Sequence, residues 1–238
     1  MGFDVYSVPL SFNGPCAALS GAGVMYNALL EAHSGGRSFL INQKFDESPE
    51  RYLDRVKNEV SSSDKCVVLA GNHLSCLPVH KAALERGLFR IVLDAHRDYA
   101  VAPIESPTHA NFLSIAGHLD NLVFFGYRDG DFDSSCEAKQ LKCHDLGGIT
   151  EFVGSVPKDA RFYVDIDLDV IDPSIFPATG CPLPGGVKPD EVSLVLNTIG
   201  LDRIDIVSFE EYIPIIDVER RCLGVVIELF QQFAREWR

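Results

Sequence analysis

Short runs of Val, Ile, Leu and Phe alternate along this chain with longer amphipathic stretches, and that order leaves few ways to fold. Strand, helix, strand, helix builds βα units around a mostly parallel sheet, so the fold class is α/β. Strands are expected at Asp4–Leu10, Ser38–Gln43, Cys66–Ala70, Arg90–Asp94, Leu122–Phe125, Arg161–Asp167 and Asp205–Phe209. Most are continuous apolar runs, the pattern of parallel strands covered on both faces. Helices are expected at Gly23–Ala32, Pro49–Ser61, Leu77–Arg86, Ala110–Leu119, Pro189–Ile199 and Val218–Trp237. Ser48, Pro49 and Glu50 form a good helix start: an N-cap, a first-turn proline and a first-turn acid. No linker or repeat divides residues 1–238, and hydrophobic residues at 46% suffice for one sizeable core, so a single domain is expected. The stretches least suited to regular structure, Arg97–Thr108 and Asp172–Lys188, each follow a strand end, where parallel sheets bind ligands.

Charge narrows the partners. With 21 Lys+Arg against 34 Asp+Glu the net charge is −13, which repels nucleic acid and anionic membranes and suits a cationic small molecule or metal ions. Seven cysteines without a Cys-x-x-Cys pair suit a reducing, cytoplasmic setting, and they read as small apolar residues. The start, MGFDVYSVPLSF, lacks the basic region and apolar run of a secretion signal. No stretch approaches the roughly 18–20 apolar residues that span a bilayer.

Chemistry concentrates at strand ends. Asp94, His96 and Asp98 stand at spacing two after the run RIVL, and Asp167 and Asp169 end the run FYVDI. Period-two geometry turns such residues to one side. A third strand end delivers Asn72 and His73. Carboxylates and imidazoles without thiolate suit Mn²⁺ or another borderline-hard divalent ion. Such a donor set suffices for two ions about 3.5–4 Å apart sharing one activated water. A lone DxHxD motif can be a capped turn, and Asp172-Pro173 reads as turn chemistry. Five acids and imidazoles crowded at two apolar strand ends, however, need a countercharge. His33, His80, His118 and His144 have no companion ligand and read as surface or structural groups. Dinucleotide and P-loop fingerprints are absent.

Four segments in order, GNH at 71–73, DAHRD at 94–98, DIDLDVIDP at 165–173 and EYIP at 211–214, resemble the signatures of the arginase and agmatinase ureohydrolases. FPATGCPLPGG at 176–186 and GYRD at 126–129 resemble further family segments. The resemblance implies a three-layer α/β/α fold around a mostly parallel sheet, with two Mn²⁺ ions at its C-terminal edge. It assigns His73, Asp94, Asp98 and Asp167 to one ion and Asp94, His96, Asp167 and Asp169 to the other. Asp98 would orient the attacking water and carry a proton. Glu211 would grip the substrate guanidinium, with Glu210 the nearest alternative acid. His109 aligns with a proton-shuttling histidine or is a turn histidine, and Asp131 aligns with an acid that receives a substrate amino group. A homo-oligomer, trimer or hexamer, is implied as well.

Some positions depart from the family pattern. Asn72 and Leu74 flank His73 where Asp and Ser are usual, Ala110 follows His109 in place of Gly, and Asp165 stands where Ser is usual. None of these is an expected ligand. The expected reaction is hydrolysis of a guanidino compound to urea and an amine. No Lys or Arg lies between Asp98 and His109, Ala100 replaces a carboxylate-holding Asn, and Glu105 would repel an anionic tail, which favours an agmatine-like amine over arginine. Alternatives are a formimino or related amidine substrate, and a catalytically silent metal-binding sensor.

Overall fold

A computed structural model describes residues 2–9, 19–30, 37–44, 46–99, 108, 111–117, 119, 121–128 and 138–237. Eight strands form one sheet: β1 Asp4–Val8, β2 Ser38–Leu40, β3 Cys66–Ala70, β4 Phe89–Leu93, β5 Leu122–Tyr127, β6 Lys139–Lys142, β7 Phe162–Asp167 and β8 Ile204–Glu210. Their order is β2-β1-β3-β8-β7-β4-β5-β6, and every pairing is parallel.

The strands are apolar on both faces because helices cover both. Seven helices are described: α1 Leu19–Leu30, α2 Pro49–Ser61, α3 Leu77–Glu85, α4 Phe112–Ala116, α5 Leu146–Ser155, α6 Pro189–Ile199 and α7 Arg221–Glu236. On one face Val67, Leu69, Ile91, Val164 and Ile166 pack with Met25 of α1, Ile149 of α5, Val195 of α6 and Phe230 of α7. On the other, Val68, Val92, Tyr163 and Ile206 pack with Val56 of α2, Val79 of α3 and Phe112 of α4. The alternation along each strand thus feeds two separate cores, and the three-layer α/β/α expectation is borne out.

Two elements escaped the sequence reading. Strand β6, KQLK, buries only Leu141 and lies at the sheet edge, where short, charged strands are the rule. Helix α5 opens on Leu146-Gly-Gly, a weak helix-forming start, yet the Asp145 side chain accepts from the Gly148 amide at 3.0 Å. Gly148 is needed there: a Cβ would stand 2.5 Å from Leu141 and 2.8 Å from the Asp145 carboxylate. The helix expected at Ala110–Leu119 contracts to α4, which stops at Gly117 with φ +78°.

Helix α7 starts at Arg221, three residues later than Val218, because an acid outside the helix supplies its cap. Asp217 accepts from the amides of Cys222 (3.1 Å) and Leu223 (2.8 Å) and from the Tyr212 hydroxyl (2.9 Å). Asp217→Ala leaves all three donors short of an acceptor in a buried setting, so the chain is expected to lose about 2–3 kcal/mol of stability. A lower urea-unfolding midpoint at unchanged slope checks this, and an unshifted midpoint rejects it.

The strand order brings four chemistry-bearing ends together. β3, β8, β7 and β4 are consecutive neighbours, with Asp167 level with Glu210 and Leu93 level with Ile166. The chain leaves β3 and re-enters the sheet at β4, three places away, and only later fills the gap with β7 and β8. Such a reversal is where parallel sheets open a crevice.

Candidate metal centre

His73 opens the short 3₁₀ turn His73–Cys76 directly after β3, and Asp94 follows the last residue of β4. Asp167 closes β7, and Asp169 lies in the turn Leu168–Val170. His73 Nδ1 lies 3.2 Å from Asp94 Oδ2, 3.0 Å from Asp98 Oδ2 and 3.2 Å from Asp167 Oδ2. On the other side of the same Asp94 carboxylate, Oδ1 lies 3.6 Å from His96 Nδ1, which is 2.8 Å from Asp169 Oδ2. The structure therefore brings His73, Asp94, His96, Asp98, Asp167 and Asp169 into two clusters that share Asp94. Asn72 stays out of them, its side chain accepting from the Ser75 hydroxyl at 3.3 Å. His109 and Asp131 lie outside the described residues.

Backbone contacts fix these side chains. The Ala95 amide donates to Asp169 Oδ1 (3.0 Å), the His96 amide to Asp94 Oδ1 (2.6 Å) and the Asp169 amide to Asp167 Oδ1 (2.9 Å). Asp98 takes a left-handed backbone with φ 41°, a conformation tolerated at functional sites when surrounding structure holds it. Arg128, from the 126–129 segment, donates to the carbonyls of Gly126, Asp169, Val170 and Leu183. It thereby ties the Asp169 turn to the loop that follows. Gly126 allows this approach, since a Cβ there would stand 2.5 Å from Val170.

Two observations test the fit of a cation. Asp94 Oδ2 and His73 Nδ1 are both buried, face one another and make no hydrogen bond. Such atoms are costly unless something else satisfies them. The second is charge crowding. Burial, then the charges of Asp169 and Asp94, push the Asp167 carboxyl well above its ordinary value, and burial and Asp94 raise Asp169. The facing carboxylates of Asp169 and Asp94 raise His96 to about 11. For His73, burial opposes the charge, but the charge of Asp165 and the facing carboxylates of Asp165, Asp167 and Asp94 hold it well above normal. Oxygen and imidazole donors in this arrangement fit divalent ions.

These shifts have a pH consequence. Carboxyls and imidazoles with raised values bind more protons in the folded chain than in the unfolded one, so stability without ions falls as pH rises, for His96 between about 6.5 and about 11. Divalent ions need the same groups deprotonated. The rise in Tm on adding Mn²⁺ to chelator-stripped protein is therefore expected to be larger at pH 8.5 than at pH 6. Equal increments would contradict it.

Glu211 follows β8 with φ 63°, and its Oε1 accepts from the His73 amide at 2.8 Å. It is half-buried beside the clusters. Glu210, the alternative acid in the sequence reading, is fully buried and takes the Cys76 thiol as a donor at 3.2 Å, so it faces the protein interior. Asp172 is a turn residue as expected, accepting from the amides of Ser174, Gly185 and Gly186.

Sequence reasoning missed a second buried layer. Asp165 lies two residues before Asp167 on the same face of β7, and its Oδ2 meets both His73 Nε2 (3.2 Å) and His80 Nε2 (2.5 Å). Its Oδ1 accepts from Ser208 at 2.6 Å, and Ser208 also meets the Tyr163 hydroxyl at 2.9 Å. His80, read as having no companion, is fully buried, and burial lowers it to about 4 despite Asp165. The available signal was an acid at 165 inside an otherwise apolar strand.

A parallel sheet with two carboxylate–imidazole clusters across adjacent strand ends defines an α/β protein of the metal-centre type. The chain belongs to the arginase family, whose model matches residues 28–234. It is 29% identical over 179 residues to an agmatinase of Bacillus cereus, covering 66% of this chain and 62% of that protein. With proclavaminate amidinohydrolase of Streptomyces clavuligerus it shares 29% over 198 residues, 72% of this chain and 63% of the relative. These matches span somewhat under two thirds of the curated relatives' length. The arginase structure from Bacillus subtilis superposes with a TM-score of 0.81 at 18% identity, covering 98% of each chain, which shows a shared fold. No helix among the described residues is long and apolar enough to cross a membrane.

Proposed function

We propose that this chain hydrolyses a guanidino compound at a pair of divalent metal ions, releasing urea and an amine. The observation that carries the reading is Asp94, whose two oxygens serve opposite clusters while a further acid, Glu211, stands beside them. In this reading His73, Asp94, Asp98 and Asp167 hold one ion and Asp94, His96, Asp167 and Asp169 the other, with Mn²⁺ as the expected metal. When bound, the ions supply Lewis acidity and a water acidic enough to ionise near neutral pH.

The chain's own residues do the rest. Glu211 spends Oε1 on the His73 amide and leaves Oε2 to accept from the guanidinium, which fixes the carbon that is attacked. Asp98, whose side chain is partly exposed, orients the water and accepts its proton. As the carbon–oxygen bond forms and a carbon–nitrogen bond breaks, that proton passes to the departing amine, with His109 as the proposed relay. Asp131 and the uncharged stretch 100–103 favour an amine tail, and the agmatinases among the relatives support the same choice. A homo-oligomer is part of the proposal.

A urea-release assay across guanidino compounds, with Mn²⁺ and after chelation, tests it. Chelation is expected to abolish turnover, and kcat/KM for agmatine is expected to exceed that for arginine. Full activity after exhaustive chelation overturns the metal reading, and a preference for arginine overturns the assignment of the tail.

A further inference from the structure

Beneath the two clusters, His73 is held from behind. One of its ring nitrogens, Nδ1, faces Asp94, Asp98 and Asp167, and the other, Nε2, faces Asp165 at 3.2 Å. We infer that Asp165 is a positioning residue for the metal centre: its buried carboxylate accepts a hydrogen bond from the Nε2–H of His73 and so points the Nδ1 lone pair at the ion.

A neutral imidazole carries one N–H and one lone pair, and a carboxylate only accepts. Both ring nitrogens face carboxylates, so without ions either could carry the hydrogen. With an ion among Asp94, Asp98 and Asp167 drawing on the Nδ1 lone pair, the hydrogen falls to Nε2, where Asp165 accepts it. Carboxylates behind metal-bound histidines elsewhere set tautomer and ring orientation in this way. Asp165 is itself fixed, with Oδ2 also receiving His80 Nε2 and Oδ1 receiving the Ser208 hydroxyl. Both supports are buried, as is Asp165, so the carboxylate is closed off from bulk solvent. The Phe112 ring lies tilted against that of His73, centroids 4.6 Å apart, and closes its flank.

The other buried acid does not share this role. Glu210 Oε1 is 3.7 Å from His73 Nε2, beyond hydrogen-bond reach. His73, Asp165 and Glu210 do lie close enough together to surround a cation. His73 has one lone pair, however, and using it there would withdraw it from Asp94, Asp98 and Asp167.

The inference rests on the two-ion reading and is tested apart from activity. Asp165→Asn and Asp165→Ser keep small polar groups and remove the charge. Titration calorimetry with Mn²⁺ on stripped protein, with bound metal counted by elemental analysis, is expected to show the ion held by His73 weakened about tenfold to a hundredfold. The ion held by His96 and Asp169 is expected to keep its affinity. If neither variant folds, nitrogen-15 NMR of the wild-type chain loaded with Zn²⁺ reads the tautomer directly, and Nε2–H on His73 is expected. Two ions bound with unchanged affinity in a folded variant, an Nδ1–H tautomer, or a third ion lost on substitution each overturn the positioning role alone. Absence of any ion from the wild-type chain overturns the two-ion reading and this inference together.

Discussion

Asp94→Asn is expected to lower kcat/KM by about a thousandfold or more, the scale of roughly 4 kcal/mol of lost transition-state stabilisation. It is also expected to strip metal from both clusters. The reason is the shared carboxylate: Oδ1 is on the His96 side and Oδ2 on the His73 side, the latter without a hydrogen bond. Asparagine keeps the shape but turns one oxygen into an NH₂ donor. Whichever way it is turned, one cluster then faces a group that binds no cation. Asp169→Asn is the control, since Asp169 faces only the His96 cluster, and loss of a single ion is expected there. Metal content by elemental analysis, measured beside the rate, separates the two. Retention of both ions and of the wild-type rate in Asp94→Asn would remove the basis for a paired centre.

Glu211→Gln is expected to lower kcat/KM by on the order of a hundredfold or more, about 3 kcal/mol, while both ions stay bound. Burial raises the Glu211 carboxyl to about 7 against the lowering influence of the His73 amide and charge, with Asp169 and Asp98 adding to the rise. Burial makes that negative charge costly, and a guanidinium offsets the cost. In the glutamine variant the oxygen can still accept from the His73 amide, which leaves an NH₂ donor facing the substrate's own N–H groups. A loss confined to kcat/KM with unchanged metal content fits a substrate-binding acid. An unchanged kcat/KM transfers the grip to another residue, and the buried Glu210 is not a candidate for it.

Much of this was written in local order along the chain. The apolar runs at Cys66–Ala70, Arg90–Asp94 and Arg161–Asp167 announce buried parallel strands because such strands are covered on both faces, and each appears within one residue of its expected bounds. Helices Pro49–Ser61 and Pro189–Ile199 begin and end as expected, since proline and capping signals act within a single turn. The acids and imidazoles at 94–98 and 167–169 were legible for the same reason, as period-two residues at strand ends.

Other features depended on which strands became neighbours. β6 and α5 carry weak local signals, and the sheet edge and the Asp145 cap decided them. No spacing rule relates His73 to Asp165, 92 positions apart, or His80 to the same carboxylate. They meet because β8 and β7 fill the gap between β3 and β4, which brings α3 and the His73 turn over the face of β7 that carries Asp165. A sequence lists its donors and acceptors residue by residue. Which of them are paired, and so which buried charges are tolerable, is settled by strand order and register, because hydrogen bonds and ion pairs act over about 3–4 Å and only the folded sheet sets those distances.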